Sequence, residues 1–585
     1  MKREEENNQE KNKEKNKQIK ATQVDCSDAI ISEEYADLIV QYEENITATL
    51  LRYNAECYQI INDKYAIIHP SLSEEALLQE VTEFDVNIIP RLLGAYGVSS
   101  IEASGMLAFH EQLTVNLRGE GIILGFIDSG IDYTHPVFIN EDNTSKILNI
   151  WDQTIQSENP PRNFQYGTEY NMDDINNAIN SEDPYDIVPS VDETGHGTFL
   201  AGIAAGRQIV EEDFVGAAPD SEIIMVKLKR AKRYLKELFL INEDAIVYQD
   251  TDIMMGVKYL TQKSISYGRP LVICIGLGTN QGAHDGTSVI EEYLDNIAVN
   301  YVVVIATGNE ATLGHHQTGF YDPDLSYQDI QLSVAPNEKG LGIQLWAQAP
   351  DVYSVGVISP SGELVARIPP RLGRRKEIEL LLERSTVYIQ YELLEEKTGD
   401  SLVLIQIREP TEGLWIIRVF GDVVVIGAYH MWLEREGWIS PETRFLNPSP
   451  YMTLTIPSTA INPIAVGAYN HFNDSLYIAS GRGWTRNNWI KPDLVAPGVN
   501  VLGPVLNNEF GTMTGTSISA AHVAGAAALL LEWGIIQGNN PDINTTVIKK
   551  TLLRGAQRKE ELDYPNREWG YGTLNLFNSF EIIRG

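Results

Sequence analysis

One segment near the C-terminus constrains this 585-residue chain more than any other. Residues 511–525 are rich in glycine, serine, threonine and alanine, and an alanine- and leucine-rich run follows, which predicts a helix that is buried on all sides. Ser517 lies where this helix begins. Backbone N–H groups point outward there and the helix dipole favours negative charge, so the position suits a nucleophile whose attack creates an oxyanion. A serine that only caps a core helix would give the same pattern.

Two further segments place an acid and a histidine upstream of this serine. An apolar, strand-like run over residues 121–127 ends at Asp128, and the end of a strand in an open α/β sheet is the usual place for a functional carboxylate. His196 stands between two glycines at the predicted start of another helix. The order along the chain is therefore acid, histidine, serine.

These motifs in this order resemble the subtilisin-like serine proteases, or subtilases. The resemblance implies that Ser517 is the nucleophile, that His196 is its general base and later the acid, and that Asp128 holds the imidazole in the required tautomer. Asn309, just after a predicted buried strand, matches the asparagine of the family's oxyanion hole. The backbone N–H of Ser517 is the second donor of that hole.

A third predicted buried strand runs into a glycine-rich loop. Within it, Gly276, Leu277 and Gly278 match the subtilase segment that pairs with the backbone of the substrate, although a plain strand-to-loop turn would read the same way. Five residues near these motifs are given no catalytic role and are read as turn, cleft-lining or packing residues. They are Asp132, His135, His284, Asp285 and His522.

Composition excludes some classes of partner. The chain has 80 acidic and 45 basic residues, a formal charge of −35, so nucleic acid and anionic membrane surfaces are unsuitable partners. Its three cysteines allow at most one disulfide and require none. Acidic turns such as residues 140–144 read equally well as solvated turns or as ion ligands. We assign no metal site and no cofactor.

The N-terminal residues 1–20 are predicted to be a disordered tail, because they are charged and almost devoid of apolar side chains. No signal peptide and no apolar stretch of about 18 residues is recognised, so no membrane span is expected. We expect synthesis in the cytoplasm, after which the protein stays there or is packaged by a route that needs no leader.

The predicted domains are the tail, a small α/β domain over 21–96, a catalytic domain over 97–335 and 451–585, and a β-rich insertion over 336–450. The small domain resembles a subtilase prodomain, an inhibitor and folding aid, although a decorative domain is the alternative. Its predicted strands are 35–42, 58–61, 64–69 and 86–93, and its predicted helix is 71–84. The insertion predicts a β-sandwich. Its predicted strands are 342–347, 352–358, 387–394, 402–407, 414–419 and 423–433. The fold class is α/β: a doubly wound, mostly parallel subtilisin-like sheet with an N-terminal α/β prodomain and an inserted, jelly-roll-like sandwich.

This combination resembles the clostridial Csp-type spore germination proteases. That resemblance implies a serine endopeptidase, packaged in the spore, that activates the zymogen of a cortex-degrading hydrolase and keeps its own cleaved prodomain as a partner. The residues before Gly97 predict self-cleavage between Tyr96 and Gly97, since this extended segment can add a strand against Gly276–Gly278 and place Tyr96 in a hydrophobic S1 pocket. A general intracellular or gut-released subtilase and a prodomain-locked, non-catalytic signalling scaffold stay open as alternatives.

Overall fold

The structure is a computed structural model that describes residues 26–42, 46–53, 55–71, 86–95, 106, 116–371 and 375–584. Three predictions lie outside these ranges. They are the disordered tail, almost all of the helix over 71–84, and the Tyr96–Gly97 cleavage bond.

The N-terminal unit, the described residues between 26 and 95, contains an antiparallel sheet with the strand order β1–β3–β2. Its elements are α1 (Ser27–Ile31), β1 (Leu38–Gln41), α2 (Thr47–Arg52), β2 (Ala55–Ile60), β3 (Tyr65–Pro70) and β4 (Leu92–Ala95). The first three strands lie close to their predicted positions. The predicted strand over 86–93 is wrong in its first half, because Val86–Ile88 form a 3-10 turn. Pro90, which has no N–H to donate to a ladder, separates this turn from β4.

A long α/β segment follows the N-terminal unit. Its strands are β5 (Ile123–Asp128), β6 (Ile147–Asp152), β7 (Thr168–Asn171), β8 (Glu222–Lys227), β9 (Tyr248–Gln249), β10 (Leu271–Ile275), β11 (Leu277–Gly278) and β12 (Val302–Ala306). Its helices are α3 (Met172–Ile179), α4 (His196–Ala205), α5 (Arg233–Leu238), α6 (Asp250–Tyr267) and α7 (Val289–Ile297).

Eleven antiparallel strands then form what we call the insert, residues 316–445. They are β13 (His316–Phe320), β14 (Gln328–Val334), β15 (Gly340–Ala347), β16 (Val352–Ile358), β17 (Leu364–Ile368), β18 (Lys376–Glu379), β19 (Thr386–Glu392), β20 (Ser401–Arg408), β21 (Gly413–Val423), β22 (Ala428–Leu433) and β23 (Arg444–Phe445). They build two sheets, ordered β13–β22–β15–β20–β19–β18 and β17–β16–β21–β14–β23, which share one apolar core.

The strands of the insert begin before the predicted boundary at 336, because β13 pairs with β22 and β14 pairs with β21. The single strand predicted over 423–433 is interrupted. Asp351 accepts hydrogen bonds from the backbone N–H groups of Val425, Ile426 and Gly427, which therefore turn away from either ladder. Side-chain acceptors that capture successive backbone donors favour a turn over a strand.

The chain returns through β24 (Ile464–Asn470), β25 (Ser475–Leu476), β26 (Leu494–Pro497), β27 (Val501–Val505) and β28 (Glu509–Met513), and through helices α8 (Thr516–Leu531), α9 (Thr545–Gly555) and α10 (Leu576–Arg584). The central sheet has the order β7–β6–β8–β5–β10–β12–β24–β25, with β26 also paired to β24. Only β7 and β25 pair antiparallel. Apolar side chains on its two faces belong to two cores, one with α4 and α8 and the other with α6 and α7. The sheet is therefore doubly wound.

Helix α8 is the central helix of the first core, and all of its residues are buried. With the turn that follows it, the segment Thr516–Ile536 is the one described helix that is long and apolar enough to cross a membrane, but 89% of the apolar window is buried inside the protein. A core helix satisfies the same criteria of length and composition. The glycine at position 525 lets α8 approach the segment after α4, since a Cβ there would lie 2.2 Å from the Cβ of Ala217.

We expect Gly525→Ala to lower the free energy of unfolding by about 1–3 kcal/mol, because the added methyl group overpacks a rigid contact. Gly256→Ala in α6 is the matched control, since its new methyl group would meet only side-chain carbons, at 3.3 Å. Chemical denaturation of both variants measures the difference. Equal stabilities would show that α8 is not held as closely as described.

Candidate active site

The carboxylate of Asp128 lies at the carboxyl end of β5, in the middle of the central sheet. Its Oδ1 accepts a hydrogen bond from the backbone N–H of Ser129 at 2.7 Å and lies 2.8 Å from Nδ1 of His196. Asp128 is 1% exposed. The carboxylate therefore fixes one edge of the imidazole in a buried site.

His196 is the first residue of α4, and its position depends on a cap that sequence reasoning missed. The carboxylate of Asp192 accepts hydrogen bonds from the backbone N–H groups of Gly195 and Thr198, both at 2.9 Å, at the positive end of this helix. Gly195 has a φ of 77°, which glycine adopts without strain. The signal in the sequence was an acidic residue four positions before the start of a helix.

Ser517 is the second residue of α8, and its Oγ lies 3.1 Å from Nε2 of His196. The structure thus brings the three predicted residues together, although His196 and Ser517 are 321 positions apart. Close backbone approach makes this possible. A Cβ on Gly276 would lie 3.0 Å from Cβ of Ser517 and 3.1 Å from Cε1 of His196.

The orientation of Asn309 is set by Thr516, a second residue that sequence reasoning left without a role. Oδ1 of Asn309 accepts hydrogen bonds from both the backbone N–H and the hydroxyl of Thr516, each at 3.2 Å. The same hydroxyl accepts a bond from the N–H of Gly308 at 3.0 Å. Because the two ends of a carboxamide point in opposite directions, Nδ2 of Asn309 becomes its donor end.

The cleft beside these residues contains a strand of the N-terminal unit. Strand β4 lies between β9 and β11 and pairs antiparallel with both. Ala95 is opposite Leu277, and Gly94 is opposite Gly278. Leu277 and Gly278, which belong to the segment predicted to pair with the backbone of a substrate, therefore pair with the backbone of β4. Any side chain in place of Gly278 would collide with Thr455, whose Oγ1 would lie 2.4 Å from the new Cβ.

The residues that we gave no catalytic role have other contacts. Nε2 of His135 lies 3.0 Å from the backbone oxygen of Glu509, and Nδ1 of His522 lies 2.9 Å from that of Ile518. Burial lowers the pKa of His522 to about 3, so this ring stays neutral. The remaining three make turn, stacking and ion-pair contacts: Asp132 with Thr134, His284 with Trp432, and Asp285 with Arg486. Among the residues that the structure describes, no group of three or more His, Cys, Asp or Glu side chains is placed to hold a metal ion.

The family assignment follows from comparison with known proteins. The sequence model of the Subtilase family matches residues 119–366 and 447–572, which is more than half of the chain. The chain belongs to the subtilase family. The two matched segments contain all four of the residues whose geometry is described above, Asp128, His196, Asn309 and Ser517.

One solved structure is similar over most of the chain. The CspB protease of Clostridium perfringens is 35% identical, with a TM-score of 0.74, over 83% of this chain and 97% of that one. Two curated subtilases match shorter stretches. The thermophilic serine proteinase of Bacillus sp. (strain AK1) is 32% identical over 21% of this chain, and serine protease AprX of Bacillus subtilis (strain 168) is 31% identical over 22%. The matches span only 26% and 31% of those two proteins.

We expect Gly276→Ala to slow the hydrolysis of a fluorogenic peptide by about 10²-fold, because its methyl group would displace the Ser517–His196 pair by a fraction of an ångström or more. Circular dichroism and the melting temperature check that the variant is folded. A folded Gly276→Ala protein with full activity would show that the pair does not need this close approach.

Proposed function

We propose that the protein is a serine endopeptidase that hydrolyses peptide bonds through an acyl-enzyme. The observation that supports this most strongly is the continuous relay from Ser517 Oγ through both nitrogens of His196 to Asp128, at 3.1 and 2.8 Å. A serine hydroxyl becomes a useful nucleophile when a neighbouring imidazole accepts its proton and a carboxylate orients that imidazole.

In the proposed reaction, Ser517 Oγ attacks the carbonyl carbon of the scissile bond while its proton passes to Nε2 of His196. The negative charge that develops on the carbonyl oxygen is stabilised by Nδ2 of Asn309 and the backbone N–H of Ser517. The imidazolium then protonates the leaving nitrogen as the C–N bond breaks. Water, deprotonated by His196, attacks the ester, and the returning proton restores the Ser517 hydroxyl.

The substrate is proposed to be a protein or peptide segment bound as an extended strand. Strand β4 provides the template, since it pairs on one edge with β9 and on the other with β11. A peptide bound in the register of β4 would place the residue that follows the position of Ala95 opposite Gly276, beside Ser517 and His196. For this chain itself, that register supports self-cleavage between Tyr96 and Gly97, which we propose as the maturation step.

We propose that the N-terminal unit is a prodomain that stays attached after cleavage through contacts outside β4, while the cut end of β4 leaves the groove to substrate. A buried polar cluster supports this. Asp37 of the N-terminal unit pairs with Nζ of Lys232 at 2.9 Å and accepts a hydrogen bond from Nε2 of Gln249 at 2.6 Å. The neighbouring Lys232 and His69 help to hold the pKa of Asp37 well below its ordinary value, against the effect of burial. Separating a buried charge from its partner is costly, so cutting one peptide bond would not release the unit.

For the biological role, we propose activation of the zymogen of a cortex-degrading hydrolase during germination, by a protein packaged in the spore. The similarity to the CspB protease over most of both chains supports this, together with an insert that we identify with the jelly-roll-like domain of Csp-type proteases. Conversion of such a purified zymogen by the wild-type protein, but not by Ser517→Ala protein, is the test. Cleavage of general substrates without conversion would favour a general subtilase instead.

We predict that Ser517→Ala and His196→Ala each abolish self-cleavage, because each removes an essential participant in proton transfer and effects within a triad are not additive. Sequencing of the N-termini of purified proteins measures this. Ser519→Ala, two residues along the same helix, is the matched control, since its hydroxyl bonds to the backbone oxygens of Ala496 and Pro497. Cleavage that persists in Ser517→Ala protein, or a wild-type chain left intact, would contradict self-processing.

A further inference from the structure

The insert holds the loop that follows β11. Nδ2 of Asn280 donates to the backbone oxygen of Leu433 at 3.2 Å, and the N–H of Gly282 donates to Oε1 of Gln344 at 2.9 Å. Between them, Nε2 of Gln281 lies 3.1 Å from both carboxyl oxygens of Glu434. Three consecutive loop residues are thus bound to β15 or to the end of β22, where the insert meets the central sheet.

Gln281 extends the edge of the peptide-binding ladder. Strand β4 pairs with β11 at Ala95 and Gly94, where the backbone of β11 ends. Two residues upstream, the N–H of Leu92 donates to the side-chain Oε1 of Gln281 at 3.3 Å. The carboxamide therefore accepts a backbone hydrogen bond beyond the end of β11, on the edge of β4 that faces away from β9.

Glu434 determines which end of this carboxamide faces the strand. By accepting from Nε2, it directs Oε1 toward the N–H of Leu92. Gln281 and Glu434 are 2% and 5% exposed, so little water competes for these groups. Burial raises the pKa of Glu434 to about 8, and the carboxyl group is therefore mostly protonated at neutral pH. A neutral amide at position 434 would keep the acceptor oxygen.

An apolar cavity adjoins Glu434. It has a volume of about 70 Å³ and lies between α5 and the sheet of the insert that contains β15 and β20. Leu238 and Phe239 line one side, and Ile343 and Leu404 line the other. Ile89, three residues before Leu92, also lines it. The chain therefore lies against this apolar cavity at Ile89 and against the side-chain carboxamide of Gln281 at Leu92.

We propose that the insert forms part of the substrate groove. The side-chain oxygen of Gln281, which Glu434 orients, accepts a hydrogen bond from a backbone N–H of the substrate. The residue that donates this bond is the fourth before the one opposite Gly276. The apolar cavity takes an aliphatic side chain three residues further upstream. This inference rests on the proposed peptidase function and on β4 as a template for substrate. It makes the preferred substrate an extended protein segment of at least eight residues before the cut, and not a short peptide.

The kinetic test uses processed protein and four internally quenched peptides. One has the sequence of residues 88–100, and two are variants of it: one with a methylated nitrogen at the leucine of position 92 and one with aspartate in place of the isoleucine at position 89. The fourth begins at position 93. For the wild type, we expect kcat/KM to fall by about tenfold on methylation, the value of one buried hydrogen bond. Gln281→Leu and Glu434→Leu should remove this discrimination, and Glu434→Gln should restore it. The peptide with aspartate at position 89 and the peptide that begins at position 93 should each have a lower kcat/KM than the unmodified peptide. Glu436→Leu, at an exposed neighbour, is the control that keeps the wild-type pattern.

A second measurement does not depend on catalysis. In uncleaved Ser517→Ala protein, hydrogen exchange of the Leu92 amide should accelerate about tenfold with Gln281→Leu or Glu434→Leu, while the amides of β5 stay protected. Faster exchange without cleavage of any peptide would refute the peptidase function but support the hydrogen bond between Gln281 and the backbone N–H of Leu92. Equal discrimination by the wild type and Gln281→Leu, or unchanged exchange at Leu92, would overturn the inference.

Discussion

The packing of α8 into the central sheet is the interaction on which the rest of the structure depends. This helix contacts β10, β12, β24, β26 and α4, and its buried, small-residue surface leaves no polar face to direct toward solvent. Its N-terminus therefore lies beside the carboxyl end of β5. Because Asp128 ends that strand and His196 begins α4, burial of one helix aligns three distant residues. The geometry of the candidate triad is therefore a consequence of core packing rather than of local loop structure.

The position of the insert follows from the same sheet. It leaves the chain after β12 and returns before β24, and these two strands are parallel neighbours. Its two connections lie near one another because the backbone N–H of Phe445 donates to the oxygen of Gly314 and that of Thr455 donates to the oxygen of Thr307, both at 3.0 Å. A whole domain can therefore be accommodated without separating the strands. The two connections also lie near the loop after β11, which explains how a β-rich domain remote in sequence contacts the peptide-binding edge through Gln344, Leu433 and Glu434.

Much of the sheet and the candidate triad could be predicted from the sequence, since apolar runs that end in an acid or in glycines mark the ends of buried parallel strands. The subtilase family itself is confirmed. Residues that act through others were missed. Asp192 and Thr516 orient His196 and Asn309 through backbone and side-chain hydrogen bonds, and a polar residue near a helix start has no signal that separates this role from ordinary capping. Gln281 was missed for a different reason, because its partners Leu92 and Glu434 are 189 and 153 positions away in the sequence.

The difference between side-chain patterns and backbone hydrogen bonds also explains the errors in strand boundaries. Alternating side chains predicted a strand through residues 86–93 and another through 423–433, but a proline and the carboxylate of Asp351 remove the backbone donors that those ladders need. Side-chain periodicity reports which face is buried. It does not report where each backbone N–H goes, and the register of β4 against β9 and β11 depends on that second property.

The most direct test of the account is to identify the residue that reacts with a fluorophosphonate probe. Such a probe forms a covalent bond with a serine only where a base and an oxyanion hole activate it. Mass spectrometry of processed wild-type protein should find the adduct on Ser517 alone, and His196→Ala protein should not be modified. An adduct on a different residue, or labelling of Ser517 that persists without His196, would contradict the proposed relay.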